Sequence, residues 1–185
     1  MIHPIRAYGD PVLRAICEDI TSFDDDLKKL VDDMLETMDA SDGVGLAAPQ
    51  IGKPVRLFTI DSTLFDKEKK SEGVRRVFVN PELVEESGEE WAFEEGCLSI
   101  PDVREDVSRM PSIKIKYQTI TGEHIEEEYA GMSARVIQHE YDHIEGILFV
   151  DHISAFKRQL IKGKLIGITK GKVNVSYRMK FHKKK

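Results

Sequence analysis

Two histidines four residues apart, with a glutamate directly after the first, constrain this chain more than any other feature. The chain reads His-Glu-Tyr-Asp-His at residues 139–143. Residues i and i+4 of a helix lie one above the other, so the imidazoles of His139 and His143 can reach one metal ion. Glu140 would lie beside that ion, where it can take a proton from a metal-bound water. The run therefore predicts a helix that carries a metal-dependent hydrolase site.

A catalytic site of this type needs three protein ligands and one open position for water. Phe149 occupies the position of the third histidine in the metzincin pattern, and no acid follows Asp151 to act as the downstream glutamate of thermolysin-like enzymes. Cys97 lies upstream, and a thiolate with two imidazoles suits a divalent transition metal. One alternative is a zinc metalloprotease of the HExxH type with another third ligand, for which His152 is a candidate. A second alternative is a closed, non-catalytic metal site.

A third segment, Gly43–Gln50, reads Gly-Val-Gly-Leu-Ala-Ala-Pro-Gln. Its small residues let a ligand approach the backbone closely. The carboxamide of Gln50 is a donor of the type that stabilises an oxyanion. A helix end that runs into a turn would explain the glycines equally well.

Charge is distributed unevenly along the 185 residues, whose formal net charge is −6. After Asp151 there are eleven Lys and Arg and no acids, which predicts a basic C-terminal tail over about residues 152–185 that can contact a polyanion such as RNA. No apolar run approaches the roughly 20 residues of a membrane span. The two cysteines, Cys17 and Cys97, form no disulfide framework. We expect one cytoplasmic domain with no membrane partner.

The hydrophobic pattern predicts an α+β fold, with mixed or antiparallel sheets packed around a central helix that carries the HExxH motif. The expected first helix has its cap at Thr21-Ser22 and acids at Asp24–Asp26, and it is stopped by Gly43. The second is expected to be capped by Ser133 and to end at Gly146. Extended segments are predicted at 55–60, 74–80, 81–89 and 90–100, with a charged loop at about 62–73 and a hairpin joining 113–117 to 124–129.

The C-terminal region is predicted to contain a short helix followed by a strand. Helical character is expected over Ser154–Ile161 and is predicted to be broken by Gly163, Gly167 and Gly171. Residues 173–179 alternate between apolar and polar, which predicts a C-terminal strand.

Together and in this order, the three segments resemble the signature motifs of the peptide deformylase family. The patterns Gly-x-Gly-x-Ala-Ala-x-Gln, Glu-Gly-Cys-x-Ser and His-Glu-x-x-His are matched by residues 43–50, 95–99 and 139–143. The resemblance extends from about Arg6 to Asp151. It implies a single catalytic domain over residues 1–185 that removes the N-formyl group from the N-terminal methionine of newly made polypeptides and releases formate.

The resemblance also implies roles for individual residues. Cys97, His139 and His143 would hold the metal, with Fe²⁺ as the physiological ion and Zn²⁺, Ni²⁺ or Co²⁺ as substitutes. Glu140 would act as general base and then general acid. Gln50 and the backbone N–H of Leu98 would receive the oxyanion. The residues expected to bind substrate are Val44, Gly45, Gly96, Arg104 and Val136.

Two further expectations concern the surroundings of the site. Either Arg104 or Arg109 is expected to pair with Asp142. An enzyme that acts on N-formylmethionyl nascent peptides must reach the ribosome, so the basic tail is a candidate contact to ribosomal RNA.

Overall fold

The structure, a computed structural model, describes residues 1–65 and 73–182. Residues 66–72, within the predicted charged loop, and residues 183–185 lie outside the described part. Residues 62–65 of that loop form a 3-10 turn. The described chain forms three α-helices and nine β-strands, most of them antiparallel, so the predicted α+β class is confirmed.

A five-stranded antiparallel sheet forms the centre of the fold, in the order β2-β3-β4-β7-β8. Its strands are β2 (Gly45–Ala47), β3 (Leu57–Asp61), β4 (Arg75–Ser87), β7 (Ser112–Gln118) and β8 (His124–Ala130). The two segments predicted at 74–80 and 81–89 are one strand, β4, which passes Pro81 through a shift in register with β7. Asn80 adopts a φ of 48° at this shift and hydrogen-bonds the backbone of Ile20. The hairpin between β7 and β8 was predicted correctly.

Two smaller strand pairs complete the sheets. Strand β5 (Trp91–Cys97) pairs antiparallel with β6 (Ile100–Arg109), a strand that the sequence pattern did not predict as separate. Strand β1 (Ile5–Arg6) pairs in parallel with β9 (Met179–Lys180) near the other end of the chain. Met179 of β9 packs against the same core cluster as Cys97 of β5, a cluster that includes Ile100 of β6.

Two helices cover opposite faces of the central sheet. Helix α1 (Asp25–Ala40) is capped by Asp24, whose carboxylate accepts the N–H groups of Asp26 and Leu27. The predicted cap at Thr21-Ser22 is therefore wrong by two to three residues. Helix α2 (Gly131–Ile144) carries the HExxH motif and packs against β2, β3 and β8. Alternate residues of a strand face opposite sides, so Phe58 packs in the α2 core while Leu57 packs in the α1 core.

Ser133 does not cap α2, contrary to the prediction. The helix begins at Gly131, with Ala130 at the cap position three residues before Ser133, and Ser133 lies inside its first turn. Its hydroxyl instead pairs with the hydroxyl of Ser62, 2.8 Å away and also buried. A tertiary partner has therefore replaced the local capping bond that the sequence suggested.

The C-terminal region departs further from its prediction. Helix α3 (Ala155–Thr169) continues through Gly163 and Gly167, because Ile161, Leu165 and Ile168 are buried in a core cluster. Burial of three large side chains outweighs a cost of about 1 kcal/mol for each glycine. No helix of the described residues is long and apolar enough to cross a membrane.

The predicted strand over 173–179 is only partly present. Side chains from Val173 to Phe181 alternate between partly buried and exposed, as predicted. Ladder pairing, however, is confined to β9, because its partner β1 offers only two residues.

Candidate metal centre

A cavity of about 540 Å³ lies between α2, β2 and the β5–β6 ribbon. The residues predicted to bind substrate all line it: Val44, Gly45, Gly96, Arg104 and Val136. Ile137, the neighbour of Val136, is fully buried in the core and does not contribute to the wall. The fold therefore gathers three distant segments of the sequence around one cavity.

Three potential ligand atoms converge at this cavity. The Cys97 sulfur at the end of β5 and one ring nitrogen each from His139 and His143 on α2 lie within 4.8 Å of one another. Burial opposes ionisation of the Cys97 thiol, but its interactions with His143 and His139 lower its pKa to about 5. A thiolate and two imidazoles suit a divalent transition metal, so this donor set fits the metal expected from the motifs.

Glu95 orients the first histidine. Its carboxylate lies 2.9 Å from Nδ1 of His139, which leaves Nε2 free for a metal. Glu95 is 6% exposed and accepts hydrogen bonds from Arg109 at 2.7 and 3.0 Å and from Arg135 at 2.7 Å. Burial would raise the pKa of Glu95, but His139 and Arg109 hold it well below its ordinary value. The sequence analysis identified Glu95 only as part of the Glu-Gly-Cys-x-Ser motif, without a role. It did not identify Arg135 as a residue of the site.

Arg109 extends this network to the second turn of the motif. Its guanidinium donates to Asp142 at 2.9 Å, which identifies Arg109 as the predicted partner of that carboxylate. Arg104 is 68% exposed and lies 3.7 Å from Glu94 at the cavity rim. Asp142 also contacts His152 at 2.8 Å, so His152 is held away from the donor group.

Phe149 packs against His139, with ring centroids 6.2 Å apart and planes 24° apart. This residue occupies the sequence position at which metzincins carry their third histidine. In this fold the position supports a ligand ring through packing, and Cys97 is the third donor near the histidine pair.

Glu140 is buried beside the donor group. Burial raises its pKa to about 7, and its Oε2 has no hydrogen-bond partner among the described residues. Its carboxyl group fills the space in front of Gly45, where a Cβ would lie 2.3 Å from Oε1. An unpaired, buried carboxyl group at a cavity wall is available to exchange a proton with a bound molecule.

Gln50, in the 3-10 turn Ala48–Ile51, points its amide donor toward the same place. Its Oε1 accepts the N–H of Ala47 at 2.8 Å, which fixes the orientation of the carboxamide. Its Nε2 then donates to the Ser99 hydroxyl at 3.2 Å and the Cys97 sulfur at 3.5 Å. The donor predicted for an oxyanion therefore lies next to the ligand group, and Ser99 is a partner that the sequence did not suggest.

The donor set, the buried carboxyl group and the enclosing cavity define a hydrolase of the HExxH class that is built to hold a divalent metal. The sequence model of the polypeptide deformylase family matches residues 2–159. The chain belongs to the polypeptide deformylase family, whose members remove the N-formyl group from newly made polypeptides. Because the chain belongs to this family, the alternative interpretation as a zinc metalloprotease is set aside.

Individual relatives agree with this assignment. The chain is similar to the peptide deformylase of Cytophaga hutchinsonii, with 56% identity over 186 residues and 100% of both chains covered. It is also similar to the crystal structure of the Thermotoga maritima peptide deformylase, with 44% identity, a TM-score of 0.76 and coverage of 83% of this chain and 99% of that one. It is similar as well to the crystal structure of a peptide deformylase from Legionella pneumophila, with 40% identity, a TM-score of 0.81 and coverage of 92% of this chain and 96% of that one.

Gly45→Ala is expected to lower turnover of a formylated peptide by at least roughly 100-fold, because the new Cβ would displace the Glu140 carboxyl group. Steady-state kinetics on the metal-loaded protein measure this loss. The matched control is Gly163→Ala on α3, where an added Cβ meets no atom of the described residues within 4 Å. That control should keep full activity and gain roughly 0.5–1 kcal/mol of stability. Equal activity in both variants would show that Gly45 does not protect the position of Glu140.

Proposed function

We propose that this chain is a metal-dependent deformylase that hydrolyses the formamide of N-formylmethionyl peptides and releases formate. We also propose that residues 1–185 act as one catalytic domain and that the enzyme works in the cytoplasm. The observation that carries the proposal is the convergence of Cys97, His139 and His143 beside the buried Glu140, in a cavity edged by strands.

In this proposal Cys97, His139 and His143 are the metal ligands, with Fe²⁺ as the resident ion and Zn²⁺, Ni²⁺ or Co²⁺ as substitutes. A bound divalent ion lowers the pKa of its water and polarises the carbonyl that is attacked. Glu95 contributes indirectly, since its hydrogen bond to Nδ1 sets the tautomer and orientation of His139.

The substrate backbone is proposed to lie along two strand edges. Strand β2 pairs only with β3, and β5 only with β6, among the described strands. Gly45 of β2 and Gly96 of β5 both line the cavity. An extended peptide can therefore add to these edges through main-chain hydrogen bonds, the usual mode of strand addition. Val44 flanks this path, and Arg104 at the rim can contact a carbonyl further along the peptide.

The apolar wall beside the ligand group is the proposed site for the methionine side chain. Val136 lies one helical turn before the HExxH motif and lines the cavity together with Leu98 and Ile100. An unbranched thioether fills an irregular apolar space of this kind well. Specificity for the first residue would then arise from apolar packing at this wall.

Proton transfer is assigned to Glu140. It accepts a proton from the attacking water and later donates one to the departing α-amine, which is a poor leaving group without it. The negative charge that develops on the formyl oxygen is received by the Gln50 amide and the Leu98 N–H. The fixed carboxamide orientation of Gln50 supports this role, because its donor already faces the ligand group.

Anaerobic assay of formate release from a formyl-Met peptide tests the proposed activity. We expect formate from the Fe²⁺-loaded protein and a large loss when the metal is removed with a chelator. An acetyl-Met peptide of the same sequence is the matched substrate control. The absence of formate from protein with a verified full metal content would reject the proposal.

We further propose that the basic tail contacts ribosomal RNA through its phosphates. Helix α3 carries no acidic residue, and the basic residues Arg158 and Lys162 occur along it. Replacing Lys183, Lys184 and Lys185 with glutamine preserves β9 and should weaken ribosome binding and its dependence on salt. The control replaces Lys28, Lys29 and Lys53 instead, which removes the same charge from the body of the protein. Identical salt dependence in the two variants would argue against the tail contact.

A further inference from the structure

Residues that follow the region matched by the family model also contact the candidate site. The match ends at residue 159, yet Val175 and Tyr177, which follow α3, line the same cavity as the motif residues. The hydroxyl of Tyr177 donates a hydrogen bond of 2.8 Å to the carbonyl oxygen of Leu98. A residue near the end of the chain therefore contacts the backbone of the cysteine motif directly.

The returning segment is held in place by the first residues of the chain. The N–H of Ile5 donates to the carbonyl of Arg178 at 2.9 Å, and that of Ala7 donates to Lys180 at 3.0 Å. These bonds flank Tyr177 on its C-terminal side and fix its approach to the cavity. The ring also packs, together with Leu98, against the core cluster around α1.

The peptide units around Leu98 are held from both ends of the chain. Tyr177 bonds the carbonyl of Leu98, and the N–H of Tyr8 bonds the carbonyl of Ser99 at 2.8 Å. The carbonyl of Leu98 is coplanar with the N–H of Ser99, and only the φ and ψ dihedrals of Leu98 join this plane to the Leu98 N–H. A fixed carbonyl therefore limits the directions in which the Leu98 N–H can point. That N–H is the backbone donor assigned to the oxyanion, directly after Cys97.

We propose that Tyr177 is a positioning residue of the deformylation site. Its hydroxyl holds the Leu98 carbonyl, which limits φ and ψ of Leu98 so that the Leu98 N–H faces the developing oxyanion, and Val175 and the Tyr177 ring close this side of the cavity. The inference rests on the proposed function, and it adds a residue from outside the matched family region. A purely structural role would affect stability without a selective effect on turnover.

The kinetic test compares Tyr177→Phe with Tyr117→Phe. Both variants keep the ring and lose one hydroxyl hydrogen bond, since the Tyr117 hydroxyl donates to Glu127 at 2.9 Å away from this cavity. For Tyr177→Phe we expect kcat for a formyl-Met peptide to fall roughly 10-fold with KM changed by less than about twofold, as for an interaction made in the transition state. Tyr117→Phe should keep the kcat of the unmodified protein. Equal kcat values in the two variants would overturn the proposal.

A second measurement does not depend on catalysis. Amide hydrogen exchange at Leu98, followed by NMR, should be roughly 5- to 10-fold faster in Tyr177→Phe than in either Tyr117→Phe or the unmodified protein. If the unmodified protein releases no formate, the proposed function fails, and the exchange data still decide whether Tyr177 holds the Leu98 peptide. Unchanged exchange at Leu98 in Tyr177→Phe would overturn the positioning role, whatever the activity.

Discussion

Replacing Glu140 with glutamine is expected to lower kcat for formate release by about 10²–10⁴-fold, the range of general acid–base catalysis. Glutamine keeps the size of the side chain but can neither accept the proton of the attacking water nor return it to the amine. Metal content should stay at the level of the unmodified protein, because Glu140 is not among the three converging ligand atoms. Kinetics together with metal analysis measure both expectations.

Glu94→Gln is a suitable control for this substitution. Glu94 also lines the cavity, but its side chain is 60% exposed at the rim, so the control removes a carboxylate without removing the buried one. Its activity should remain within about twofold of the unmodified protein. If Glu140→Gln retained comparable activity, the proton would have to travel by another route.

Cys97→Ser is expected to weaken metal binding by more than about 100-fold. Loss of a carboxylate that only supports a ligand costs 10–100-fold in affinity, and loss of a ligand itself should exceed that range. Serine places a neutral hydroxyl where the Cys97 thiolate lies beside His139 and His143. Competition with a chromogenic chelator measures the affinity, and activity at limiting metal should fall in parallel.

Cys17→Ser is the control for Cys97→Ser, because it removes a thiol that is not a metal ligand. Cys17 is buried, its pKa is raised to about 11 chiefly by burial, and it does not belong to the donor group. Its substitution should leave metal affinity unchanged while lowering stability. Unimpaired metal binding in Cys97→Ser would mean that the third ligand is another residue, as in the protease alternative.

Local features of this chain were predictable from its sequence. The HExxH spacing and the acidic start of α1 depend on residues within one helical turn of each other, so the signal lies in neighbouring residues of the sequence. The hairpin between β7 and β8 has the same local character. The three motifs of the cavity were also recognisable, because each chemical group lies in a short, unusual run.

Features that depend on distant partners were not predictable in the same way. Glu95 owes its role to Arg135 and Arg109, which approach it from another helix and strand. Helix α3 continues through Gly163 and Gly167 only because the tertiary core buries its apolar side. Tyr177 showed an alternating pattern but gave no sign of its bond to Leu98, which spans 79 positions.

The wide sequence span of the cavity, from Ser41 to Tyr177, has a consequence for how the protein folds. Contacts between such distant residues close long loops, which slows folding relative to a chain with local contacts. The three ligand atoms converge only in the folded state, so a metal that binds them there opposes unfolding by mass action. At a free concentration of about 100 times Kd, this linkage amounts to roughly 2.7 kcal/mol. The supply of metal in the cell would then govern the lifetime of the folded enzyme as well as its rate.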